Sequence, residues 1–388
     1  MLTWFFNDVA AMIVATGALV GAGSALLGVF LVLRGAGMLT HAISHSILLG
    51  IVIAWMLSGQ TSGPFVLAAA ALAGLLSVVM TEALARSNLV RMDAAIGLVF
   101  PALFALGVLL ISLNARNVHL DEHAVLLGEI GFVWLDTVQL GGHGVPRAML
   151  AVGTLTLLNL LFVTLFYKEL KLASFDAALA HALGFAPGIL FYALLGLTSA
   201  TAVASFDAVG VVLFLAFVIV PPSAALLLTD RLWLVILLSV LMAVGSSLAG
   251  YLLAVRWNVS IGGMMALMTG LCLVAALLAG PRHGVIARQL RQRGQRAEND
   301  ARSLVAHLYN HEAGPEAAEE NTVRALHDHL LWSEAQARRV ILHGLDRGLV
   351  ERRGEALHLT PKGRAVAFQI FEPWRRGDEA EAAQEIRG

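Results

Sequence analysis

The chain is short of cysteine, of charge and of every motif that would let it catalyse a reaction by itself. Its one cysteine, Cys272, lies within an apolar run, which excludes an intrachain disulfide and leaves a packed, inert thiol. Charged residues make up 14% of the 388, against 58% hydrophobic. A soluble domain carries about 25% charge, so the composition is that of a membrane protein. No Gly-x-x-x-x-Gly-Lys-Ser/Thr phosphate loop occurs. Any ATP that drives this protein therefore has to be hydrolysed by another chain. A His-Glu-x-x-His pair, a dinucleotide fingerprint and a nucleophile–base constellation are also missing, so the chain does not read as an enzyme. Met1–Asp8 lacks a basic stretch, and the apolar run after it is long enough to span; a cleavable signal peptide is not expected. The net charge of −1 points to no partner.

The little charge there is falls unevenly. Of the 26 Lys and Arg only nine lie before residue 281, and of the 27 Asp and Glu only eleven. This break predicts a transmembrane domain over 1–283, a basic linker over 284–300, a compact cytosolic domain over 301–372 and a polar tail over 373–388. Apolar runs near 9–33, 41–57, 64–85, 94–113, 147–167, 186–204, 208–228, 231–254 and 261–280 have the length of bilayer crossings. The second and sixth are short enough to be broken or re-entrant, so the count is eight or nine. With nine, Arg34, Arg86, Arg91, Lys168, Lys171 and Arg231 share one side, and the positive-inside bias makes that side cytosolic with the N-terminus outside. Glycines in Gly17–Gly23 and Gly245–Gly250 are spaced for close helix approach. Pro101 is expected to kink its segment, and Pro221-Pro222 to kink or end theirs.

Three polar stretches interrupt this pattern. In Leu39–Gly50, His41, Ser44 and His45 sit among apolar residues, and the two histidines stack one helical turn apart. Such a pair can hold a transition metal if other ligands join it; it can equally be hydrogen-bonded to a neighbouring helix, and the residues leave both open. His119, Asp121 and His123 alternate in the loop after residue 114, where they are either a weaker chelate or a polar external loop. The stretch Tyr167–Phe185 is amphipathic and Ala-rich, with Ser174 or Asp176 as its cap and Gly184 as its stop. A helix of this kind on the cytosolic side is a natural docking knob for a motor subunit.

In the tail, Arg-rich residues 284–300 lie where they can touch lipid headgroups. Residues 301–311 and 322–331 read as helices, and Ser333-Glu-Ala-Gln336 starts a third that Gly348 stops. Two short strands, Leu349–Arg352 and Ala356–Leu359, and a helix opened by Thr360-Pro361 complete the pattern of a winged helix. Arg338, Arg339, Arg352 and Arg353 are placed as phosphate contacts would be. The acidic residues nearly cancel them, which favours an interaction or sensing role over DNA binding. His307 and His311, with Glu312, His327 and His329 nearby, are either a regulatory metal site or surface histidines.

Taken together, the stretches resemble the ABC-type permeases for manganese, zinc or iron, in particular the manganese/iron branch. The resemblance rests on Leu33-Arg34, Ala42-Ile-Ser-His45-Ser, Asp93-Ala-Ala-Ile-Gly97, Val118–His123 with Gly128-Glu129, Lys168–Asp176, Ala204–Gly210, Val220-Pro-Pro222, Thr229-Asp230 and Gly280–Gly284. The tail resembles the winged helix of metal-dependent repressors. What the resemblance implies is an all-α polytopic membrane protein of the inner membrane, with a C-terminal cytosolic winged-helix domain. It implies a subunit without cofactor of its own, pairing with itself or a sister permease and receiving a divalent metal from an extracytoplasmic binding protein. Lys168, Glu169, Lys171, Phe175, Asp176 and Gly184 would dock the ATPase subunit that binds ATP. The family's intramembrane site has the pattern Asp-Ala-x-Ser-His; here its His is His45 and its Asp position is His41. The alternative is a membrane-tethered, metal-responsive regulator acting through the tail.

Overall fold

The computed structural model describes residues 8–60, 63–114, 130–140, 143–281, 284–312, 321–322, 326 and 330–372. The loop bearing His119, Asp121 and His123, and the residues His327 and His329, lie outside them. The chain divides into two compact units, Met1–Val285 and Ile286–Gly388.

The first unit is a bundle of apolar helices: α1 (Val9–Leu33), α2 (Gly37–Ser58), α3 (Pro64–Arg86), α4 (Met92–Asn114), α5 (Arg147–Leu165), α6 (Tyr167–Phe175), α7 (Ala177–Ala182), α8 (Pro187–Leu228), α9 (Leu232–Trp257) and α10 (Ile261–Ala279). Eight of these are long and apolar enough to cross a membrane. The helices start and stop where local chemistry dictates. The Asp8 carboxylate accepts from the Ala10 amide (2.9 Å), Pro64 opens α3, and Gly59 closes α2 with φ 70°. Between α4 and α5 a short hairpin, β1 (Thr137–Leu140) with β2 (His143–Pro146), adds a strand pair that the sequence reading did not anticipate.

Side-chain contacts give each helix its direction. Thr156 donates to the Leu19 carbonyl (3.0 Å) and Asn159 to that of Gly23 (3.3 Å), so α5 runs parallel to α1. Gly21 faces Ala243, while Met265 covers both Gly17 and Gly250, so α9 runs against α1 and α10 runs with it. Ser199 donates to the Ala71 carbonyl (2.9 Å) and Tyr192 reaches Glu82, which sets α3 against the start of α8. Gly50 packs on Ala69 and Ala70, and Gly74 on Ile43, setting α2 against α3.

The 42-residue α8 is two arms that run in opposite directions. Gly210, with φ 73° and ψ 173°, is its one non-helical residue, a conformation open to glycine and strained for other residues. In the first arm Phe191 lies under the Arg34 guanidinium and Thr201 meets Asn159, so this arm descends against α1. In the second, Leu213 sits by Gly262, Val218 and Pro222 sit on Gly28, and Leu227 sits by Gly280, so this arm runs with α1. Phe206 and Phe214 have ring centroids 5.8 Å apart, where eight residues of straight helix would rise about 12 Å. The arms are about 34 and 27 Å long at 1.5 Å per residue, each a membrane's thickness. Among the described residues, the eight helices apolar enough to span thus offer nine segments of membrane length. Pro221-Pro222 do not end the helix, which continues through both; the reversal lies at Gly210, close to the boundary expected between the runs 186–204 and 208–228.

The prolines have another effect. Pro222 has no N–H to give the Val218 carbonyl, and that freed oxygen rests against Gly28 of α1. No Cβ fits there. Not every glycine in the spaced runs is a contact, however; Gly245 faces open space. Cys272 is half-buried on α10, 3.7 Å from the Ser246 hydroxyl.

The second unit contains α11 (Val285–His311), α12 (Glu334–Asp346), the antiparallel pair β3 (Val350–Arg353) and β4 (Ala356–Leu359), and a helix α13 over 361–372. Linker and first helix, read separately in the sequence, are one continuous α11. Leu304, Val305, Leu308, Trp332, Val340, Ile341, Leu357 and Leu359 form its core. Ser333 caps α12 by accepting from Gln336, Gly348 (φ 64°) follows its end, and the Thr360 hydroxyl accepts from Gly363 (3.0 Å) at the start of α13.

Gly28→Ala is expected to lower the thermal midpoint of the purified protein, since overpacking a close contact costs about 1–3 kcal/mol. Gly245→Ala, placed in open space, should leave it unchanged or slightly higher. Equal midpoints for the two variants would remove the Gly28 contact from the account.

Candidate metal centre and docking surface

His41 and His45 project from the first half of α2 toward α4. Their ring centroids are 4.6 Å apart, at 71° to each other, and both side chains are half-buried. The flanking Ala42, Ile43 and Ser44 are buried, and Ser44 spends its hydroxyl on the Thr40 carbonyl (2.8 Å). Ser44 is thereby occupied within its own helix. Phe100 of α4 touches both imidazoles, at 5.3 and 5.4 Å between centroids, and Phe104 touches His45 at 6.0 Å. Among the described residues neither imidazole is hydrogen-bonded to protein. Among them, too, no group of three His, Cys, Asp or Glu side chains is placed to hold a metal. The structure therefore brings together the two histidines singled out in the sequence and supplies no third protein ligand. Neutral imidazole suits zinc, iron, copper and nickel, whereas carboxylate and water suit manganese.

At the end of the bundle that carries Arg34, Arg86, Lys168, Lys171 and Arg231 lies the connection expected as one amphipathic helix. It is two helices. Asp176 is extended (φ −147°, ψ 92°), ends α6 and caps α7 by accepting from the Leu179 amide (2.8 Å). Ser174, the other candidate cap, instead receives Arg34 Nε at 3.3 Å. Lys168, Lys171, Phe175, Asp176 and Gly184 (φ 86°) are exposed, and Glu169 is half-buried with Oε2 enclosed and unpartnered. Phe175, Leu179, Leu183 and Ile189, on and after these helices, are exposed apolar side chains. Solvated apolar surface of this kind marks a place where another surface fits.

Arg34 was read in the sequence for its sign and as part of the Leu33-Arg34 motif, with no structural role assigned. In the structure it joins three elements: it ends α1, holds Ser174 of α6, and lays its guanidinium 5.1 Å over Phe191 of α8. Burial lowers its pKa from the ordinary arginine value. Its neighbour in space is the Glu82–Tyr192 contact, with Arg86 on Glu82 at 2.6 Å.

A family model, the ABC 3 transport family, matches residues 8–280. The chain belongs to that family. It is a multi-pass membrane permease subunit of an ABC transport system, and the ATPase is a different chain. It is 44% identical over 357 residues to the zinc transport system membrane protein TroD of Treponema pallidum (strain Nichols), covering 92% of this chain and 97% of that one. It is 47% identical over 282 residues to the manganese transport system membrane protein MntD of Bacillus subtilis (strain 168), covering 72% and 95%. Among solved structures, PsaBC from Streptococcus pneumoniae in complex with Fab shares the fold, with a TM-score of 0.61 at 24% identity over 76% of this permease and 100% of that chain. The TroD match is too long for the membrane unit alone, so it takes in much of the second unit as well.

In that second unit, His307 and His311 have centroids 4.6 Å apart, and His307 is buried. Glu312, which could have joined them, pairs with Arg364 through Nε at 3.0 Å. Arg338 pairs with Glu334 (2.8 Å) and Arg353 with Glu351 (2.6 Å); Arg352 and Arg339 donate to backbone carbonyls.

Asp176→Ala is expected to cost α7 its cap, about 0.5–2 kcal/mol. Hydrogen exchange at the amides of 177–182 should accelerate while the rest of the bundle keeps its protection; Asp176→Asn should restore it. Unchanged exchange in Asp176→Ala would show that the cap does not hold α7.

Proposed function

We propose that this permease carries a divalent transition metal, manganese, zinc or iron, inward across the inner membrane, with His41 and His45 as ligands along its path. The observation that carries this is the imidazole pair itself. Two polar rings at membrane depth have no hydrogen-bond partner among the described residues, and ionisable groups so placed are expensive unless they serve a pathway. The names of TroD, for zinc, and MntD, for manganese, support the class of cargo. The basic end of the bundle is then cytosolic by the positive-inside bias, which puts α6 and α7 where an ATPase subunit binds and the N-terminus outside.

In this reading an extracytoplasmic binding protein delivers the metal. The ion sheds water and is held by the two imidazoles, with remaining ligands from water, from the loop of His119, Asp121 and His123, or from a second permease across a dimer. The ATPase subunits dock on Lys168, Glu169, Lys171, Phe175, Asp176 and Gly184, and their closure is passed into the bundle through α6. Protons compete with metal for imidazole, so release on the inner side needs only that the ligands be pulled apart or protonated.

The second unit supports a regulatory proposal. Its order of helix, strand pair and helix is compatible with a winged helix resembling those of metal-dependent repressors, and the His307–His311 pair is its candidate metal sensor. The local pairing of Arg338 and Arg353 favours a protein or metal partner over DNA.

Two measurements test this. In cells supplied with the ATPase and binding protein, radiotracer uptake should be lost in the His41→Ala, His45→Ala double variant, and His41→Asp should move preference from zinc or iron toward manganese. Wild-type uptake in the double variant would remove the pair from the path. Deleting residues 290–388 should leave uptake in place but alter its response to metal supply; complete loss of transport would make the tail part of the transporter's working core.

A further inference from the structure

Histidine ligands usually owe their orientation to a hydrogen bond from the second ring nitrogen, which fixes tautomer and ring plane so that the first can ligate. His41 and His45 have no such bond among the described residues. What holds them is an aromatic ring. Phe100 stacks on His45, 30° from parallel at 5.4 Å, and meets His41 nearly perpendicular at 5.3 Å; Phe104 meets His45 at 89° and 6.0 Å. One phenyl ring therefore sets the planes of both imidazoles.

The backbone beneath that ring is built to release it. Phe100 precedes Pro101, which lies inside α4 and has no N–H for the Gly97 carbonyl. Gly97 has nothing within 4 Å of the position a Cβ would occupy. On either side α4 is anchored, by the buried Ala95 and Ile96 before the turn and by Gly107 against Leu49 after it. A proline that removes one backbone bond between two packed stretches is where such a helix bends most easily.

We infer that Phe100 is the positioning residue of the metal pair: its ring takes the place of the missing hydrogen bonds, aligning the two imidazoles for ligation, and the Gly97–Pro101 turn lets it withdraw as the metal passes. This rests on the reading of His41 and His45 as ligands. Phe100 does not touch the metal. It acts through the two rings, so its loss should change how well metal is held without removing a ligand.

The test uses the full chain in detergent with cobalt(II) as a spectroscopic probe. Wild type should show visible d–d absorption that titrates with cobalt and is displaced by zinc. Phe100→Ala and Phe100→Leu should weaken cobalt binding about 10- to 100-fold, the usual effect of losing an outer-shell partner. The absorption per bound cobalt should change shape as well. Phe100→Tyr, which keeps the ring, should restore both affinity and spectrum. The Leu variant covers the case in which Ala does not fold. Wild-type affinity and spectrum in Phe100→Leu, or a Tyr variant as weak as Leu, would overturn the positioning role. If the His41→Ala, His45→Ala variant binds cobalt like wild type, the ligand assignment has failed and this inference falls with it. If that variant loses cobalt and the Phe100 variants do not, only the role of Phe100 is wrong.

Discussion

At membrane depth there is no water to satisfy a polar group, and this constraint organises the whole first unit. Its hydroxyls obey it in the most economical way. Thr16, Ser44, Ser46, Thr81, Thr198, Ser205, Ser239 and Ser247 each donate to a carbonyl one turn back on their own helix. A few are spent between helices, where they fix register: Thr156 on Leu19, Asn159 on Gly23 and Thr201, Ser199 on Ala71. The accounting has exceptions: Ser24 Oγ and Asn159 Oδ1 are buried without a partner, and His41 and His45 are half-buried imidazoles with no hydrogen bond among the described residues.

The same constraint explains why the glycines matter. With lipid as apolar as leucine, no hydrophobic force pulls these helices together, and packing has to come from close approach. Gly21 on Ala243, Gly28 on Val218 and Gly250 on Met265 bring backbones into contact. At Gly28 that contact also shelters a carbonyl which Pro222 leaves unpaired. The reversal at Gly210 then places both outer ends of α8 at the basic end of the bundle. Phe191 sits there beside Arg34. If α6 is where the ATPase docks, a push on it would reach α1 through Ser174 and Arg34, and α8 through Phe191.

Much of this was legible in the sequence because apolar length and charge placement are coarse signals that tertiary contacts do not override. The membrane domain, the histidine pair one turn apart, the cap at Ser333 and the strand pair around Gly354 all follow from spacing. What was not legible depends on which residue meets which. A proline pair reads as a kink or an end, yet Pro221 and Pro222 are absorbed by a helix whose freed carbonyl finds a glycine, while the turn expected between the runs 186–204 and 208–228 falls on Gly210, just inside the second. Ser174 and Asp176 were equal candidates as caps until Arg34, 140 residues away, took one of them. Phe100 carried no signal at all, since one phenylalanine in an apolar run is indistinguishable from lipid-facing bulk.

The departure at His41 bears on what the rest of the site has to provide. A divalent ion leaving water for a bilayer interior needs opposite charge as well as lone pairs, because desolvation of a cation there is severe. The resemblance read in the sequence implies a carboxylate at the position of His41. This chain has an imidazole in its place, and no His, Cys, Asp or Glu among the described residues makes a third ligand. Two copies of this permease would present up to four imidazoles, a donor set suited to tetrahedral zinc. Pairing with a sister subunit that keeps the Asp would restore one negative charge and an oxygen donor, and with it a place for manganese. On the proposed reading of His41 and His45 as ligands, metal preference would follow the identity of the partner permease, and the pair makes sense as half of a site rather than as a whole one.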